Sequence, residues 1–104
     1  MIKAVQEAFQ EMQSDWQQMQ SSDMDSAGDD ADRFQAAFYR FIDAVKEWLE
    51  SLEQKPRTTA AALDLPELSA LYDELPAPLL LNFETELELI VEGIVRVEDA
   101  RYDD

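Results

Sequence analysis

Carboxylate is the one reactive side-chain chemistry this sequence holds in quantity. Twelve aspartates and twelve glutamates stand against three lysines and five arginines, for a formal net charge of −16. Paired carboxylates can divide acid and base work when their environments push their pKa values apart. Among so many acidic residues, though, close pairs arise by chance, and pairing alone selects no catalytic couple. The side chains that usually complete a catalytic site are missing. There is no histidine, hence no group that ordinarily titrates near neutral pH and no imidazole ligand for zinc. There is no cysteine, which removes thiolate catalysis, sulfur-ligated metal and disulfides. Two glycines in all leave no phosphate-cradling loop, and no Ser/His/Asp or Cys/His set can be assembled. The expectation is a protein that is not an enzyme, with no catalytic residues and no cofactor.

One acidic stretch invites comparison with a metal loop. Asp23, Asp25, Gly28, Asp29, Asp30 and Asp32 fall close together, with Gly28 sixth in a count from Asp23. A calcium-binding EF-hand loop would need an oxygen ligand where Ala27 stands and a bidentate glutamate where Phe34 stands. Both positions fail, so the stretch reads as a solvated acidic loop and no metal ligand is assigned.

The regular rows of acid carry more information. Glu7, Glu11 and Asp15 are four residues apart. Asp43 and Glu47 repeat that interval, with Glu50 three further on, and Glu84, Glu88 and Glu92 repeat it again, with Glu86 beside them. Four residues advance a helix by about 6 Å. That resembles the spacing of successive phosphates on a nucleic-acid strand, whose rise is about 3.4 Å per base along an oblique path. Like charges at this interval cost a few tenths of a kcal/mol per pair, and a helix built only for solubility would alternate Glu with Lys. The compensating pair of favourable order is Glu92 with Arg96. These ten carboxylates are the candidate partner-binding residues.

Helices must position these rows. Ile2, Val5, Phe9, Met12, Trp16 and Met19 recur at alternating intervals of three and four, as do Phe34, Phe38, Phe41, Val45, Trp48 and Leu52. Leu65, Leu68, Tyr72 and Leu75 do so over a shorter span, and Leu80, Phe83, Leu87, Ile90, Ile94 and Val97 over a longer one. Each set lays one apolar stripe along a helix. Within residues 86–98, Leu87, Leu89 and Val91 also alternate, and the β-branched Ile90, Val91, Ile94, Val95 and Val97 favour strands, which would suit a hairpin turning at Glu92-Gly93. The helical spacing holds over six positions while the alternation fails at Ile90, so helix is preferred. Asp29 or Asp30 can cap the second helix, Lys55-Pro56-Arg57-Thr58 ends it, and Asp64 and Pro66 begin the third. The expected fold is all-α: one domain, 1–104, an antiparallel bundle of four helices at about 2–20, 31–54, 66–75 and 79–101, the third short. Tyr39, Ile42 and Leu49 broaden the second helix's apolar face, which marks either the central helix of a bundle or the seam of a homodimer.

At 104 residues with 46% hydrophobic content, the chain has the size and material for one core, and disorder is not expected despite the charge. Nothing approaches the ~20 apolar residues of a membrane span. Met1-Ile2-Lys3-Ala4 lacks a signal peptide's basic-then-apolar pattern, so a cytoplasmic location is expected. A surface this acidic repels phosphate backbones and anionic lipid and attracts basic proteins. Direct binding of nucleic acid or membrane is therefore not expected. The expected partner is a basic protein, and the sharpest form of the reading is a phosphate mimic that inhibits a nucleic-acid-binding protein by filling its basic groove. The alternatives are an immunity, adaptor or chaperone-like protein for a basic partner without mimicry, and a salt-adapted structural protein.

Overall fold

A computed structural model of the chain describes residues 2–21 and 27–102. Among the described residues five helices follow one another: α1 (Ile2–Ser21), α2 (Ala27–Glu50), α3 (Thr59–Leu63), α4 (Pro66–Glu74) and α5 (Ala77–Tyr102). No strand occurs among the described residues, and residues 86–98 are helix throughout. The chain divides into two compact units, Met1–Trp48 and Leu49–Asp104.

The first unit is an antiparallel hairpin of α1 and α2, the part of the expected antiparallel packing that the structure shows. As position rises along α1 it falls along α2: Phe9 meets Phe41 with ring centroids 5.3 Å apart, and Trp16 meets Phe34 at 5.2 Å. Val5, Phe9 and Met12 are buried, as are Phe38, Phe41 and Val45 opposite. Burial of each such side chain contributes about 1.5–3 kcal/mol. Toward the end of α1, Trp16 and Met19 are only half-buried. Ser21 closes the helix by donating its hydroxyl to the carbonyls of Gln17 and Gln18, both at 3.2 Å.

α2 starts and stops earlier than the expected 31–54. Asp29 and Asp30 lie inside its first turn rather than capping it, where carboxylates favour the positive end of the helix. At the other end, the Leu52 N–H bonds to the Leu49 carbonyl at 3.3 Å as the helix tightens and stops. Lys55-Pro56 therefore lies in the connection beyond α2. Proline at 56 excludes a regular helical bond there and disfavours helix at the residue before it. Of the extra apolar residues on α2, Ile42 and Leu49 belong to the core while Tyr39 is exposed.

The second unit contains the element the sequence reading missed. Five residues, Thr59–Leu63, form α3, so the expected four helices become five. Thr58 sits in extended conformation and its hydroxyl accepts the Ala61 N–H at 3.0 Å, a side-chain cap on a run of alanines with high helix propensity. Asp64 is the C-cap of α3 rather than the start of α4, its N–H bonding to the Ala60 carbonyl at 3.0 Å. Leu65, extended before Pro66, is the N-cap of α4 without a side-chain bond, and Pro66 opens the helix. α3 packs on both α4 and α5. Ala62, Leu68, Leu71, Phe83 and Leu87 are buried in this unit.

On α5 the buried face is rotated from the expected stripe. Leu79 is buried where Leu80 was expected, Val91 is buried beside Ile90, and Val97 is exposed. Stepping by fours, as from Leu79 to Phe83 to Leu87, rotates the contact line around a straight helix, and it leaves Val97 on the outside.

Candidate protein-binding surface

Each expected carboxylate row lies on a helix, but the three rows differ in what surrounds them. On α1, Glu7 and Glu11 are exposed and Asp15 is half-buried. Glu11 is engaged across the hairpin, where the Arg40 guanidinium of α2 donates to it at 2.6 Å. Both side chains are more than half exposed, so the pair contributes at most about 1 kcal/mol. It does neutralise the middle of the α1 row.

On α5, the row loses its first member to the fold. Glu84 is half-buried and accepts a hydrogen bond from the Tyr72 hydroxyl of α4 at 2.8 Å. That bond, then burial, then the nearby charges of Glu84 and Asp73, raise the Tyr72 pKa above the usual tyrosine value. Glu86 is half-buried as well, while Glu88 and Glu92 are exposed.

The row on α2 is the fullest. Asp43, Glu47 and Glu50 are all exposed. Because α2 begins at Ala27, Asp29 and Asp32 fall on the same face, for positions 29, 32, 36, 39, 43, 47 and 50 follow one another at helical intervals. All seven are exposed. Five are carboxylates, with Ala36 and Tyr39 in the middle. The face runs about 32 Å along the helix. Asp29 and Asp32 extend the candidate row beyond the residues expected from the sequence. The signal is the same three-and-four spacing used for the apolar stripes, obscured because the acidic stretch from Asp23 to Asp32 reads as a loop. Asp30 is on the other side, 5% exposed, accepting from Arg33 at 3.4 Å through Oδ1, with Oδ2 unpartnered among the described residues.

Of the possible metal loop, Asp23 and Asp25 lie outside the described residues, and Gly28, Asp29, Asp30 and Asp32 are part of α2. Among the described residues no cluster of three or more acidic side chains is arranged to hold a metal ion. No helix among them is long and apolar enough to cross a membrane. No family model, curated protein or solved structure matches this chain.

Proposed function

We propose that this chain is a non-enzymatic binding protein whose acidic helix faces engage a basic protein, in a groove that nucleic acid would otherwise fill. The observation that carries the reading is the exposed face of α2, where Asp29, Asp32, Asp43, Glu47 and Glu50 line one side of a single helix. Five carboxylates in about 32 Å compare with about nine phosphates on one DNA strand of that length. The imitation is partial. Salt should therefore weaken this complex less steeply than it weakens DNA on the same groove.

The test is competition combined with charge reversal by row. Proteins recovered with the chain from a lysate at low salt should be basic, and duplex DNA or RNA should displace the chain from them. Asp43, Glu47 and Glu50 changed together to lysine should weaken binding at least about tenfold more than the same change at Glu53, Asp64 and Asp73, which are exposed but scattered. Equal losses would mean that only net charge counts. Simultaneous binding of chain and nucleic acid by the partner would rule mimicry out. That second outcome would leave an adaptor or inhibitor of a basic protein.

A further inference from the structure

We infer that Tyr39 makes the α2 face selective for arginine, its ring receiving a guanidinium of the basic partner. The inference rests on the basic-partner reading above and specifies which side chain of the partner is recognised. Tyr39 stands fourth among the seven exposed positions 29, 32, 36, 39, 43, 47 and 50 of that face. At about 100° per residue these seven fall within an arc of about 80°, so ring and carboxylates meet the same occupant. Carboxylates by themselves attract any cation. An aromatic ring in the middle of the row has no counterpart on a phosphate strand, and it adds a preference among cations.

The ring is both available and held in place. Tyr39 is 47% exposed, and it packs edge-to-face on the buried Phe38, with centroids 5.6 Å apart and planes at 77°. Four side chains lie one helical turn from it. Ala36 is too short to cover the ring, Ile42 is buried, Gln35 is uncharged, and Asp43 is an exposed acid on the same face. The guanidiniums nearest along α2 are used elsewhere: Arg40 donates to Glu11 at 2.6 Å and Arg33 to Asp30 at 3.4 Å.

Chemistry selects the occupant. A guanidinium is planar and weakly hydrated, so it lies flat on a tyrosine ring and still donates from its edge to a carboxylate. An ammonium is compact and strongly hydrated, and gains less from the ring. Asp43 stands about 6 Å further along the helix, close enough for one guanidinium to meet both. Tyrosine and arginine are also the side chains that dominate binding at the centre of an interface. A second copy of this chain would set carboxylates against carboxylates, on top of a net charge of −16 per chain, and an anionic lipid surface is repelled for the same reason.

The test uses the full chain and two synthetic peptides of equal length and charge. They are identical except that every basic residue is arginine in one and lysine in the other. In about 0.1 M salt the arginine peptide should bind at least about fivefold more tightly. Part of that preference comes from bidentate pairing with carboxylates, so variants separate the contributions. Tyr39→Leu should cut the preference at least about threefold, by weakening the arginine peptide. Tyr39→Phe should keep it, because a ring remains, and Asp43→Asn should weaken both peptides. Circular dichroism checks that each variant is folded. No preference in the wild type, or a preference that Tyr39→Leu leaves unchanged, would overturn the inference while the basic-partner reading stood. If neither peptide bound even at about 0.01 M salt, where charges act over about 30 Å, both would fall. A wild-type dimer that Tyr39→Leu dissociates would assign the ring to a second copy and likewise overturn the inference.

Discussion

Tyr72 and Glu84 stand on successive helices of the second unit, and the bond between them changes what each can do. Glu84 has the sequence position of a surface carboxylate, first in a row of three. In the fold it is the acceptor that holds the Tyr72 hydroxyl. Helical spacing gives the phase of a residue but not which neighbour stands over it, so this engagement could not be read from the chain. The consequence is testable at alkaline pH. The carboxylate favours the protonated phenol, which raises the Tyr72 pKa. A pKa raised by folding means that the stabilisation is fully present below the ordinary tyrosine range and is lost as pH rises through the folded value. Glu84→Gln keeps an acceptor but removes the charge, so Tyr72 should titrate at lower pH in that variant. Ultraviolet titration of the phenolate, with Tyr72→Phe to assign the signal, checks this; an unmoved transition would mean that burial alone sets the value.

At the scale of elements, the long helices were legible because their stripes are long. Six positions at three-and-four spacing leave little room for another period, and α1 and α5 run within two residues of the expected bounds. α3 was missed for the opposite reason: five residues give no stripe, and only the Thr58 cap followed by three alanines announces it. Asp29 and Asp32 were read as loop because aspartate and glycine signal turns, yet in the first turns of a helix the same residues are favourable. The place of Val97 was misjudged because a stripe counted in threes and fours does not fix where the packing partner ends. Gly93 tests the structure of α5 directly. It lies inside the helix, has no positive φ and has open space at its missing side chain. Gly93→Ala should then stabilise the chain by about 0.5–1 kcal/mol through helix propensity and a less mobile unfolded state. Urea unfolding measures it, and a loss of stability would show that something packs there.

For the whole molecule the dominant quantity is the charge of −16, which bears on folding before it bears on any partner. Repulsion among like charges acts over about 10 Å in 0.1 M salt and about 30 Å in 0.01 M, so diluting the buffer couples carboxylates on different turns that are otherwise screened. Two origins of the charge then separate. A surface shaped by a saline medium relies on screening, and such a chain should lose helix as salt is removed. A surface shaped by a basic partner has to survive free in ordinary buffer, held by its apolar contacts. Phe41, Phe83, Leu49 and Leu87 are completely buried. We therefore expect the chain to remain helical at about 0.01 M salt and to unfold there in a single transition, at a lower temperature than at 0.15 M because the repulsion is less screened. Circular dichroism against temperature at the two salt concentrations decides it. Loss of the helical signal on dilution alone would favour salt adaptation, and would leave the acidic face of α2 as a solvated surface rather than one made for a partner.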